Sequence, residues 1–239
     1  MKIEILDEDN KVISELSPGK TKGINIVQWN YRHRAPKIAA GKTVTRGGFA
    51  APMVPPGTYK VRMTKGKEVY ESSVAITPDP DSPYSQQELK EGYDAAMRLY
   101  NMNEQLAYIV DQIDNVSDGV DKLKGKDLPK KLKNDIATFG NELSDLKEPL
   151  VIMTGDNYVG AAEPQLREKI ANIYGDVASY PGKPSKGQVE TMKYLDKELQ
   201  VVQGKFNEKI EKLNQINEQL EKAGLEKISL RSIEDFIRA

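Results

Sequence analysis

Three prolines crowd into the seven residues Thr77-Pro78-Asp79-Pro80-Asp81-Ser82-Pro83, and the spacing of apolar residues changes across them. Before this seam, apolar and polar residues alternate in short runs bounded by turn residues, the period of half-buried strands. After it, apolar residues recur every three to four positions over long stretches, the period of amphipathic helices. Proline fixes φ and donates no N–H, so the seam stops a strand ladder, denies a helix and makes a stiff connector. A chain of 239 residues has room for two modest domains. The seam predicts where they divide.

In the first half, Ile3 and Ile5 alternate with Lys2 and Glu4, and Val12 to Leu16 returns after the polar turn Asp7-Glu8-Asp9-Asn10. Asn25, Val27 and Trp29 fall on one face of an expected strand, with Ile24, Ile26 and Gln28 on the other. Apolar residues on both faces predict a central strand there. Pro55-Pro56-Gly57 is a turn. Tyr59, Val61 and Met63 then alternate with polar residues as far as a hairpin tip at Lys65-Gly66, and Tyr70, Ser72, Val74 and Ile76 alternate on the way back. Ala35 to Val54 is a long excursion between strands. Short strands parted by turns predict an immunoglobulin-like β-sandwich. Trp29, the single tryptophan, is expected to plug its core. Tyr31-Arg32-His33-Arg34 is read as a solvated strand end pairing with acidic neighbours. The competing reading is a ridge of aromatic and guanidinium groups for a sugar or anion.

Past the seam, Ser85-Gln86-Gln87-Glu88 is a capping box, followed by an apolar stripe through Leu89, Tyr93, Ala96, Met97, Tyr100, Ala107, Val110 and Ile113 that weakens near Ser117-Asp118-Gly119. A second helix carries Leu132, Ile136, Phe139, Leu143 and Leu146 and stops at Glu148-Pro149. The polar run Thr154-Gly155-Asp156-Asn157 leads to a third helix with Leu166, Ile170, Ile173 and Val177. A second capping box, Ser185 to Gln188, opens a fourth helix running to Leu220, and the tail from Leu225 is expected to pack back. Four stripes of this kind predict an antiparallel, up-down-up-down four-helix bundle. The fold class is therefore α+β multidomain: an immunoglobulin-like β-sandwich over 1–80, a Pro-rich linker over 81–84, and an up-down helical bundle with a C-terminal tail over 85–239.

Composition narrows the chemistry. The chain has no cysteine and one histidine, His33, so thiolate metal sites, cysteine nucleophiles and multi-histidine zinc sites are excluded. With 35 Lys+Arg against 36 Asp+Glu, the net charge of −1 argues against a non-specific binder of nucleic acid or of anionic membranes, since either needs a basic surface, and leaves room only for a local basic patch. No apolar run is long enough to span a membrane. Phosphate-binding loops, the GxGxxG fingerprint and the Gly-x-Ser-x-Gly elbow are absent. Asp79 and Asp81 lack the remaining ligand pattern of a calcium loop. No catalytic, cofactor-binding or metal-binding residue is expected.

Three stretches carry a resemblance. They are Gly23 to Arg32 with Ala35-Pro36, the run Pro55-Pro56-Gly57-Thr58-Tyr59, and Thr77-Pro78-Asp79-Pro80 leading into a capped helix. Together they resemble the C-terminal region of bacterial exported β-propeller proteins, the sortilin-like or sialidase-like glycosyl hydrolases. There an immunoglobulin-like domain similar to that of flagellar hook-capping proteins, with Gly-x-Asn-x-x-x-Trp and then Pro-Gly-x-Tyr, precedes a helical segment. Leu166 to Val177 and Pro184-Ser185 continue the likeness. The family's Asp-Pro-Arg at the seam is Asp79-Pro80-Asp81 here.

The resemblance implies structural jobs for Asn25, Trp29, Pro56, Gly57 and Tyr59, an upstream β-propeller as partner, and an extracytoplasmic (periplasmic or cell-surface) location with the signal peptide further upstream. No family catalytic residue maps onto this chain. The function expected is a non-catalytic accessory or scaffolding region acting through domain docking. One alternative is a carbohydrate-binding module using Tyr31, Arg32, Tyr158 or Tyr180 for a glycan or protein ligand. The other is a hydrolase with an inter-domain site.

Overall fold

The computed structural model describes residues 1–43, 45, 50–153 and 163–238. Its elements are β1 (Lys2–Leu6), β2 (Val12–Leu16), β3 (Gly57–Lys65), β4 (Glu68–Ile76), α1 (Gln86–Leu123), α2 (Lys130–Lys147), α3 (Leu166–Ala178), α4 (Lys186–Lys222) and α5 (Ile233–Arg238). The chain is α+β: one four-stranded antiparallel sheet of order β2-β1-β3-β4, then long helices.

The first hairpin turns because Asp7 Oδ1 accepts from the amides of Asp9 and Lys11, while Asn10 takes the left-handed conformation that asparagine tolerates. Ile5, Ile13, Val54 and Tyr59 form the centre of the strand layer's core, with Leu16, Trp29, Val61, Val74 and Ile76 around them. The Tyr59 hydroxyl donates to Pro55 O at 2.6 Å and so ties the Pro-Pro-Gly turn to the strand it starts.

A central strand over Ile24 to Trp29 does not form, and Ile24 and Ile26 stand 95% and 87% exposed. The reason is local. The Asn25 side chain accepts from Thr21 N and Thr21 Oγ1 and donates to Thr21 O and Gly23 O, which offers the backbone a closed loop in place of a ladder. Asn25 thus bonds within its own loop and not at a strand edge. Trp29 is half-buried. It lies edge-on to Tyr59 and Tyr31 and donates Nε1–H to Arg32 O at 3.0 Å, so it covers one side of the core instead of plugging its middle. Among the described residues the strand pairing outside the four-stranded sheet is one isolated antiparallel bridge, Arg32 with Met53, with His33 N–H to Pro52 O and Val54 N–H to Tyr31 O.

The helices keep their predicted caps. Ser85 and Glu88 bond reciprocally at the start of α1, as do Ser185 and Gln188 at the start of α4. Their course differs from four alternating legs. Arg98 meets Asp196 and Gln105 meets Gln203, a rising register that makes α1 and α4 parallel. Lys147 pairs with Asp114, and Gly140 lies against Val120, so α2 runs antiparallel to α1. The amides of Leu166 and Arg167 then bond to Pro149 O and Leu150 O, which seats the start of α3 directly on the end of α2. α3 therefore continues in the same direction. The course is up, down in two pieces, and up.

Where the stripe weakens near Gly119, α1 continues. It runs 38 residues, about 57 Å at 1.5 Å per residue. A Cβ at Gly119 would lie 2.6 Å from Ile228 Cγ2, so the weak point in the stripe is where the tail docks. The tail is held there by reciprocal bonds between Gln112 and the Arg231 backbone.

The excursion between β2 and β3 is a strap across the helices. Arg34 forks onto Glu104 with two bonds of 2.9 Å, and the Lys37 amide bonds the same carboxylate. Ala39 is buried in the helical core, Arg167 grips Ala39 O and Thr43 O, and the Tyr174 hydroxyl donates to Ala50 O. Sheet and helices are thereby joined through Arg34, Lys37, Ala39, Thr43 and Ala50 as well as through the seam.

Candidate functional site

Strap, seam and helix ends converge on one cleft of about 440 Å³. Pro52 to Pro56 supply one wall, and Ile76 to Asp79 with Ser82 to Tyr84 supply the seam side. The first turns of α1 contribute Leu89, Gly92, Tyr93 and Ala96. The end of α3 and the turn after it contribute Val177 to Pro181. The cleft's floor depends on Gly92, because a Cβ there would stand 2.5 Å from Gly182 O and 3.0 Å from Pro181 O. The turn out of α3 can approach α1 this closely only over a glycine. At the rim, Tyr84 and Tyr180 meet edge to face, ring centroids 5.6 Å apart and planes 74° apart. This geometry suits aromatic quadrupoles and leaves the two rings non-coplanar.

The charged groups at the cleft are largely committed. Arg32 donates Nη1–H to Ala51 O at 2.6 Å. Asp79 Oδ1 accepts the Asp81 amide at 3.0 Å, and Asp79 is the carboxylate among the described lining residues. The walls are otherwise proline, tyrosine and aliphatic side chains, a surface suited to gripping an extended or ring-shaped apolar group.

Of the residues expected to touch a ligand, Arg32 and Tyr180 line this cleft and Tyr31 does not. Tyr31 is about half exposed, packs edge-on against Trp29 and has φ of 58°, an uncommon conformation for a bulky side chain. Tyr158 lies outside the described residues. Pro56 lines the cleft, and Gly57 opens β3 behind it. Sequence reasoning missed Tyr84 and Tyr93 as lining residues. Tyr93 stands in an apolar stripe, where its hydroxyl gives no sign of facing a cleft. Among the described residues no group of three His, Asp or Glu side chains could hold a metal ion, and no helix is long and apolar enough to cross a membrane.

His33 is not the solvated end it was expected to be. Its Nε2 is 3.0 Å from the Tyr93 hydroxyl, and its ring lies against Tyr93 and Tyr100, between the strap and α1. Burial, and secondarily the charge of Lys11, lower its pKa to about 4. Burial also raises Tyr93 and Tyr100 above the ordinary phenol value. The native state thus binds the His33 proton more weakly than the unfolded chain, so stability present above pH 6.5 is lost as pH falls from about 6.5 towards 4. After discounting for partial solvent screening the loss is about 1–2 kcal/mol. Urea midpoints measured across that window should fall for the native chain and fall less for His33→Gln. Equal slopes would refute the assignment.

No protein-family profile, curated protein or solved structure matches this chain.

Proposed function

We propose that the chain is a non-catalytic accessory region that scaffolds a larger protein by docking a partner domain. The partner proposed is a β-propeller upstream in the same exported, glycosyl-hydrolase-like polypeptide, at the cell surface or in the periplasm. The observation that carries the reading is the contrast between the two sheet edges. β2 is short, its register with β1 shifts between Ile5 and Leu6, and the Arg34 amide bonds Ile13 O across its outer side. These are devices that close an edge. β4 has nine residues, no proline or lysine, and an unbroken register with β3 from Gly57↔Ile76 to Lys65↔Glu68. Glu71, which could repel an incoming strand, is bonded to Arg62 of β3 at 2.8 Å. Among the described residues nothing bonds the outer edge of β4, and Val69 and Tyr70 are exposed along it. A long edge with an unbroken register is a template for strand addition.

The sequence resemblance supports the identity of the partner. On this reading the sheet is the retained layer of an immunoglobulin-like sandwich. The Tyr59 hydroxyl returning to Pro55 O is akin to the tyrosine corner of such sandwiches. The helices correspond to the bundle that follows.

Two measurements test it. The reading frame upstream of Met1 should encode four-stranded repeats of about 40–50 residues each. In the resulting full polypeptide, the outward amides of β4 should exchange at least about tenfold more slowly than in the 239-residue chain. A frame without propeller repeats, or equal exchange in both, overturns the proposal.

A carbohydrate-binding module is the second reading, favoured by the half-exposed Tyr180 ring at the cleft rim. Glycan-array binding that is lost in Tyr180→Ala would select it. A hydrolase at the same cleft requires a second carboxylate facing Asp79.

A further inference from the structure

The near-zero net charge conceals a segregation. Residues 16–67 contain 11 Lys or Arg and no Asp or Glu. Several of these cations are occupied: Arg34 by Glu104, Arg62 by Glu71, and Lys60 by Asn10 and Glu71. Lys20 and Lys22 are exposed and have no ion-pair partner among the described residues. They precede, in the same loop, Ile24 and Ile26, the two most exposed large hydrophobic side chains described.

That exposure is built into the loop. Asn25 makes four hydrogen bonds inside it, two to Thr21 donors and two to the carbonyls of Thr21 and Gly23. Gly23 has φ of 104°, a conformation that side chains rarely adopt. A Cβ at Gly19 would stand 2.2 Å from Asn25 Oδ1, so the clamp closes only over a glycine. Two glycines and an asparagine therefore hold two isoleucines in water, at a cost that an isolated loop has no reason to bear.

We propose that the loop over residues 19–26 is a membrane-contact prong that inserts Ile24 and Ile26 into the surface of an anionic lipid bilayer. Aliphatic side chains enter the boundary between headgroups and acyl chains, while adjacent lysines meet anionic headgroups. Trp29, half-buried, and Tyr31, half-exposed, follow directly in sequence, and both are residue types enriched at membrane interfaces. The composition separates a bilayer from a protein partner. Protein interfaces are depleted in lysine at their centres and draw most of their binding energy from tryptophan, tyrosine and arginine. This prong offers isoleucine and lysine, with no carboxylate in the surrounding 52-residue segment to be repelled.

The test is co-sedimentation of the chain with vesicles of phosphatidylcholine containing roughly 30% phosphatidylserine, with pure phosphatidylcholine vesicles alongside. The native chain should pellet with the anionic vesicles and stay in solution with the neutral ones. Ile24→Ser with Ile26→Ser should weaken binding about a hundredfold, and Lys20→Gln with Lys22→Gln about twenty- to thirtyfold. All four side chains are exposed, so circular dichroism and the urea midpoint should be unchanged, which separates lost binding from lost folding. Failure of the native chain to pellet, or full binding by the isoleucine variant, overturns the proposal. Capture on polyglutamate beads without vesicle binding also overturns it, and assigns the lysines to an acidic protein partner.

Discussion

Replacing Arg167 with alanine is expected to cost about 3–5 kcal/mol of unfolding free energy, the range found when one member of a buried ion pair is removed. Arg167 is 7% exposed and Glu168 beside it 8%. The guanidinium donates through Nε to Ala39 O at 2.6 Å, through Nη2 to Thr43 O at 2.9 Å, and through Nη1 to Thr43 Oγ1 and Glu168 Oε1 at 2.9 and 2.6 Å. Glu168 also accepts from Thr43 Oγ1 and caps α3 by accepting the Gln165 amide. Alanine would leave a carboxylate buried without its cation and two backbone carbonyls without donors, each a full desolvation penalty.

For a chain of this size the loss corresponds to a Tm drop of about 6–20 °C. Arg167→Lys keeps the charge but not the fork, so it should recover only part of the loss. Because the fork's partners are on the strap, amides around residues 39–43 should lose exchange protection in Arg167→Ala before those of α1 do. A destabilisation under about 1 kcal/mol, or uniform loss of protection, would contradict this account of how strap and helices are joined.

Nothing in the sequence marks Arg167 out, and the reason is distance. Its carbonyl partner Ala39 is 128 positions upstream. Elements governed by neighbours were legible. The capping boxes at Ser85 and Ser185 formed as their spacing required, as did the polar turn after β1 and the hairpin at Gly66. Apolar stripes located four helices because period 3.6 is a property of each segment alone.

Misreadings arose where a competing bond or a distant segment decided the outcome. Alternation over Ile24 to Trp29 argued for a strand, but Asn25 closed a loop with its own neighbours. Proline at 149 correctly ended α2, yet chain direction after it was set by the amides of Leu166 and Arg167 meeting Pro149 O and Leu150 O. A helix stop does not specify a reversal. The cleft was half legible. Arg32 and Tyr180 were singled out, whereas Tyr93 was counted as core, and its contact with His33 spans 60 residues.

Truncating Phe139 to alanine tests the part that periodicity did locate, and it should also cost about 3–5 kcal/mol. Phe139 is 1% exposed at the middle of the α2 stripe, between Ile136 and Leu143, and belongs to the large apolar cluster that α1, α3 and α4 share. The cost combines lost transfer free energy with the cavity left behind. Its size depends on how far α2 can settle into the gap. Collapse is restricted on the C-terminal side of Phe139, towards both neighbouring helices. Lys147 is paired with Asp114 of α1, and Glu142 receives both Lys209 and Lys212 of α4, which hold its pKa below the ordinary carboxylate value. With α2 held against both neighbours, the cavity should stay largely open and the penalty should lie in the upper part of the range. Tyr194→Ala on the exposed face of α4 provides the contrast, with an expected change within about 0.5 kcal/mol. In urea titrations, Phe139→Ala should move the midpoint while leaving the slope unchanged. A loss near 1 kcal/mol would mean that α2 closes onto the gap, and that the ion pairs at Asp114 and Glu142 do not fix its distance from α1 and α4.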